Sequence, residues 1–134
     1  MIAYLCDTDW TIEYLNGSDD ASRLFSSLAD DGLGISIVTY GELYEGVLTS
    51  TRRESRVRQL EELVTTVDVL SIDFETARQF AEIRSLLRRG GQPIPDMDAL
   101  IAATAIRYDL TLITYDHHFD RVTGLKVRAD DRPR

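Results

Sequence analysis

Apolar residues fall in short blocks along the chain, and their spacing switches repeatedly between strand-like and helix-like. "IAYLC" (2–6) is a continuous apolar run ending at Asp7 and predicts a buried strand. "TDWTIEYLNG" follows with helical character and stops at Asn16-Gly17. "DDASRLFSSLADDG" predicts a second helix, capped by Asp19 or Asp20, with Leu24, Phe25 and Leu28 as its apolar stripe and Gly32 beyond its end. "LGISIVT" (33–39) is rich in β-branched residues and predicts the second strand, with a short helix over "YGELYEGVL" after it.

The second half repeats the alternation. "RRESRVRQLEELVTTV" sets Val57, Leu60 and Leu63/Val64 on one stripe and arginines on the other. "VDVLSI" (67–72) predicts a third strand, and Asp73 caps a long helix. The expected stripe of that helix is Phe74, Ala77, Phe80, Ala81, Ile83/Arg84 and Leu87, ended by Gly90-Gly91. A further helix spans roughly 97–108, "TLITY" (111–115) is a fourth strand, and "LKV" (125–127) is a short fifth. Such alternation implies an α/β fold with a parallel sheet covered on both faces. With 134 residues, the expectation is one domain over 1–128 and a polar tail over 129–134.

Charge narrows the picture. The net charge of −8 argues against passive coating of nucleic acid, which needs a basic face. Every base except Lys126 is arginine, whose planar fork suits phosphates and carboxylates alike. The run Arg52, Arg53, Arg56, Arg58 is ordinarily a solvated face; beside an acidic site it could hold phosphates. The lone Cys6 gives no disulfide frame, and no apolar run reaches about 18 residues. With no basic leader in view, the chain reads as cytoplasmic and without a membrane partner.

The acids carry the candidate chemistry. Asp7 follows the first strand, Glu42 comes three residues after Thr39 at the end of the second, and Asp116 follows the fourth. Parallel α/β sheets build their sites outside the carboxyl ends of the strands, so these acids converge on one edge. Asp98, at the start of a nearly wholly apolar helix, could point the same way. Any one acid alone is most often a cap or turn residue. Asp96 is the better N-cap, although its role and that of Asp98 could be exchanged. Carboxylates gathered this closely need compensation, which a hard divalent cation such as Mg²⁺ or Mn²⁺ supplies. One or two such ions suit phosphodiester hydrolysis. Glu45 reads as solvated, Cys6 as core, and His117-His118 as an exposed turn, because two histidines without a third make a weak metal motif.

The segments "YLCDTDWTIEYL", "SIVTYGELYEGV" and "PDMDALIAATAIRYDLTLITYDHHFDRVTGLKV" resemble the PIN-domain ribonucleases, specifically the VapC-type toxins of bacterial toxin–antitoxin pairs. The resemblance runs from roughly residue 2 to 127 in order. It implies a three-layer α/β/α sandwich with a central parallel sheet of four or five strands, and an Mg²⁺- or Mn²⁺-dependent endoribonuclease. Asp7, Glu42, Asp98 and Asp116 take the positions of the family's four acids, as catalytic residues and metal ligands. Thr8, Asp9, Asp96 and Thr114 are supporting or additional ligands. Asp9 stands where asparagine is common, and adds negative charge. A homodimer, an RNA substrate and a cognate antitoxin are implied partners, with Arg52, Arg53 and Arg56 as candidate contacts on the helices between 40 and 66.

Two rivals stand beside this reading. "LCDTDWT" also satisfies the D-x-D-x-T opening of haloacid-dehalogenase-type phosphatases, with Asp7 as nucleophile and Asp9 as acid/base. That family needs a lysine followed by a further acidic motif, and the one lysine, Lys126, comes too late. The other rival is a PIN-like binding protein with no catalysis, which the presence of all four acids disfavours.

Overall fold

The computed structural model describes residues 2–131 and Pro133; Arg132 and Arg134 of the expected tail lie outside the described residues. Among the described residues, a pair of α-helices follows each of the first three of five strands: β1 (Tyr4–Cys6), α1 (Thr8–Leu15), α2 (Asp19–Leu28), β2 (Leu33–Ser36), α3 (Ile37–Thr49) and α4 (Arg53–Thr66). Then come β3 (Asp68–Leu70), α5 (Phe74–Arg89), α6 (Asp96–Arg107), β4 (Thr111–Thr114) and β5 (Lys126–Ala129). All four strand pairings are parallel, in the order β3-β2-β1-β4-β5.

Neighbouring residues of one strand serve opposite faces, as the pleat requires. Leu5 and Leu112 pack with α5 and α6, whereas Cys6, Ile35 and Ile113 pack with the helices from α1 to α4. This gives the three-layer sandwich. The α6 sequence is apolar on almost every side because it sits deep: Ala99, Ile101, Ala102, Ala103 and Ala105 are all fully buried. Each buried aliphatic such as Ile101 or Leu112 contributes roughly 1.5–3 kcal/mol. Gly34 sits where β2 passes close to β3: a Cβ there would lie 3.1 Å from the Asp68 carbonyl oxygen, tight enough to push the strands slightly apart, and 2.7 Å from Ile2 Cδ1, which would have to turn aside.

Several local expectations are corrected. The second strand ends at Ser36, because the Ser36 side chain accepts a hydrogen bond from the Val38 N–H and opens α3 three residues early. Glu42 therefore lies in the second turn of its helix. Ser18, not Asp19 or Asp20, caps α2. The buried face of α5 is Thr76, Phe80, Ile83 and Leu87, while Phe74, Ala77 and Ala81 face outward. β5 extends through Ala129, and the Asp130 N–H donates to the Thr114 carbonyl. Helices α5 and α6 are tied at both ends, by Asp73 to Arg107 (2.8 Å) and Arg84 to Asp96 (3.1 Å).

Candidate active site

The strand order reverses between β1 and β4, and the crevice outside the carboxyl ends of two such strands is where open α/β sheets bind ligands. Asp7 stands directly after β1 and Asp116 two residues after β4. The two strands are locked there by the Asp7 N–H donating to the Ile113 carbonyl (3.0 Å).

Asp7 is the N-cap of α1 and is 5% exposed. Its Oδ1 accepts from the Thr8 N–H and its Oδ2 from the Thr114 hydroxyl, both at 2.8 Å. These neutral donors do not offset its removal from water. Burial pushes its pKa up to about 7, against the lowering by Thr114 and Thr8, and the charges of Asp98 and Asp9 add to the rise. The Thr114 hydroxyl also accepts from the Asp116 N–H (3.0 Å), so one residue of β4 sets the positions of two acids.

The first turn of α6 delivers Asp98. Burial raises its pKa, His118 opposes the rise, and the charges of Asp116 and Asp9 reinforce it. His118 lies between two carboxylates. Its Nδ1 is 2.7 Å from Asp116 Oδ1 and its Nε2 is 2.7 Å from Asp98 Oδ2. Both are close ion-pair contacts, and the buried Nε2 has no properly directed hydrogen-bond acceptor. One donor atom from each of Asp98, Asp116 and His118 lies within 4.8 Å of the others.

Glu42 reaches the edge from α3 and is exposed. The Thr8 hydroxyl donates to its Oε1 (2.7 Å) and also lies 2.9 Å from the Thr39 hydroxyl. Thr8 therefore contacts Asp7 through its backbone and Glu42 through its side chain. Asp9 is exposed in the first turn of α1, close enough to raise the pKa of both Asp7 and Asp98.

Other expected residues lie elsewhere. Asp96 does not cap α6: Pro95 does, its carbonyl accepting from the Ala99 N–H (3.0 Å), and the Asp96 carboxylate pairs with Arg84. Asp96 is thus committed to the α5–α6 tie. Arg52 and Arg53 are exposed where α4 begins, and Arg53 donates to the Leu48 carbonyl (2.6 Å). Arg56 donates to Asn16 Oδ1 (3.0 Å) and, with Glu42 and Ile12, lines a groove of about 250 Å³. The expectation for the histidine pair holds for His117, which is exposed, and fails for His118. A 3₁₀ turn over His117–Arg121 directs one ring outward and the next inward, anchored by fully buried Phe119.

The donor set fits a divalent cation. It offers hard carboxylate oxygens, a buried Asp7 without a cationic partner among the described residues, and an imidazole nitrogen without an aligned hydrogen-bond acceptor.

A family model described as "PIN domain" matches residues 4–125. The chain is 30% identical over 126 residues to Ribonuclease VapC1 of Haemophilus influenzae strain R2866, covering 92% of this chain and 94% of that protein. The fold is similar to that in the crystal structure of VapBC2 from Rickettsia felis bound to a DNA fragment from their promoter. The TM-score is 0.91 at 26% identity, covering 98% of this chain and 100% of that one. VapBC-1 from nontypeable Haemophilus influenzae gives a TM-score of 0.85 at 30% identity, covering 96% and 98%.

Proposed function

Taking as premise that this chain belongs to the PIN-domain family, we propose that it is a ribonuclease, the toxin of a toxin–antitoxin pair. It cleaves RNA internally, with Mg²⁺ or Mn²⁺ held by Asp7, Glu42, Asp98 and Asp116. The observation that carries this reading is the gathering of Asp98, Asp116 and His118 within 4.8 Å of one another, with buried Asp7 near enough for its charge and that of Asp98 to act on each other. Among the described residues these three acids have no arginine or lysine paired to them, only His118 beside two of them, and such a gathering is costly in the folded state and is relieved by a cation.

When bound, a divalent cation supplies an activated water and neutralises the charged oxygens of the scissile phosphodiester. The chain's own residues do the rest. Asp7 and Asp98 bind the ion as charged oxygens. Thr114 orients Asp7 and lowers the cost of its charge, and Thr8 aims Glu42 at the same edge. Asp9 deepens the negative field without burying its own charge. The backbone and bases of unpaired RNA are open to a surface groove of this kind.

The partner follows from the same premise. VapBC-5 from Mycobacterium tuberculosis, of similar fold, is a member of the VapBC family of toxin–antitoxin systems, and this chain takes an antitoxin of its own. The groove bordered by Ile12, Glu42 and Arg56 lies beside the acids and suits a segment with an apolar face. Arg52 and Arg53, at the entrance of α4, are available to an acidic partner or to RNA. A homodimer completes the proposed assembly.

The test is cleavage of total cellular RNA by purified, partner-free protein, comparing the native chain with Asp98→Asn in Mg²⁺, Mn²⁺ or EDTA. Discrete products that need metal and vanish in the variant are expected. Folded protein that cleaves nothing with either metal points instead to a binding module.

A further inference from the structure

Building on the metal-nuclease reading, we infer that His118 is a nitrogen ligand of the site, that Asp116 orients its ring, and that the site prefers Mn²⁺ to Mg²⁺. Metal-binding histidines present one ring nitrogen to the ion and give the other N–H to a carboxylate or carbonyl. His118 has the contacts for that arrangement, with a carboxylate beside each ring nitrogen. Its Nδ1 lies 2.7 Å from Asp116 Oδ1, and its backbone N–H donates to the same oxygen (3.3 Å), so the ring and the main chain are held by one carboxylate. Its Nε2 faces Asp98 at 2.7 Å, buried and without an aligned acceptor. The ring packs at 4.8 Å centroid separation against Phe119, which is fully buried. The ring is therefore fixed towards the acids. Imidazole suits zinc, iron and the later transition metals best, and Mn²⁺, which is otherwise content with oxygen, accepts a nitrogen ligand more readily than Mg²⁺ does.

The competing role is an internal counter-ion, a protonated ring that neutralises Asp98 and Asp116 and gives way when metal enters. The two roles predict opposite effects of removal. A ligand lost weakens Mn²⁺ binding; a counter-ion lost leaves it unchanged or tightens it.

The experiment uses the full chain, freed of partner, titrated with Mn²⁺ and Mg²⁺ by calorimetry, and pulsed electron paramagnetic resonance of bound Mn²⁺. The native protein should show ¹⁴N coupling from imidazole. His118→Asn should lose it, with Mn²⁺ affinity falling about 10–100-fold and Mg²⁺ affinity falling less. His117→Asn, altering an exposed neighbour, should change neither. Bound Mn²⁺ without ¹⁴N coupling in the native protein overturns the inference whatever the variants do. An unchanged Mn²⁺/Mg²⁺ ratio in His118→Asn, with binding lost in Asp98→Asn, overturns it and leaves the nuclease reading standing. Native protein that binds neither ion removes both.

Discussion

Asp7 and Asp73 are the same residue in the same local role, and they behave in opposite ways. Each caps a helix with its carboxylate, Asp7 for α1 and Asp73 for α5. Asp73 closes a capping box with Thr76 and takes a forked contact from Arg107, whose Nε lies 2.9 Å from Oδ2 and 3.1 Å from Oδ1. The Arg107 guanidinium holds its carboxyl well below the usual range, helped by the Thr76 N–H. Among the described residues Asp7 has hydroxyl and amide donors only, with other acids for neighbours and a buried position that pushes its pKa up. Capping alone does not mark a residue as structural. What separates the two is the partner: a cation supplied by the chain for Asp73, and for Asp7 a charge left to be met from outside.

The strongest way to break this comparison is to neutralise each acid in turn and measure RNA cleavage. Asp7→Asn and Asp98→Asn should each lower the rate by at least about 100-fold with the circular dichroism unchanged, on the scale of lost electrostatic stabilisation. Asp73→Asn should cleave at close to the native rate. Equal losses in all three would erase the distinction.

A smaller effect sharpens it. Thr114→Val removes the hydroxyl that donates to Asp7 Oδ2 and accepts from the Asp116 N–H. Because that hydroxyl lowers the Asp7 pKa, its loss should move the acidic limb of the cleavage profile to higher pH and cut the neutral rate by roughly 10-fold. A rate change with no shift of the profile would assign Thr114 to packing alone.

Stability separates the caps in a third way. With a folded pKa below its ordinary value, Asp73 stabilises the fold above about pH 4, and that contribution fades as pH falls further. Asp73→Asn should lower the thermal midpoint by a few degrees at neutral pH, and the gap should narrow in acid. The smallest expected signal is at Cys6. Burial pushes its thiol up to about 12, so a thiol reagent should leave it unmodified until the protein unfolds.

The alternation of strands and helices was legible in the chain because each block keeps one period and is punctuated by Gly, Asn or Asp. The convergence of Asp7 and Asp116 followed from strand ends alone. Local choices between adjacent, chemically equivalent residues were not legible. Ser18, Asp19 and Asp20 can all cap, and the structure uses the first. Asp96 and Asp98 differ by two positions; the Pro95 carbonyl opens the helix, which turns Asp96 outward to Arg84 and Asp98 inward. His118 differs from exposed His117 only by its place in a 3₁₀ turn, a geometry without a sequence period. Buried Phe119 immediately after it was the available signal: an anchor of that size fixes the direction of the ring before it.

The claim that Asp7 is buried in wait for a cation has a direct thermodynamic test. A carboxyl whose pKa is higher in the folded than in the unfolded chain favours folding while protonated. For Asp7 that advantage is full below about 3.8 and is lost as pH rises to about 7, and Asp98 acts in the same direction. The measurement is the thermal midpoint from pH 4 to 8, with EDTA and with Mn²⁺, for the native chain and Asp7→Asn. Without metal, the native midpoint should fall relative to Asp7→Asn as pH rises. At neutral pH the variant should be the more stable by on the order of 1–3 kcal/mol, even after losing one hydrogen bond. Mn²⁺ should restore the native protein and leave Asp7→Asn almost unmoved. Native and variant curves that run parallel across the range, with no response to Mn²⁺, would contradict the account.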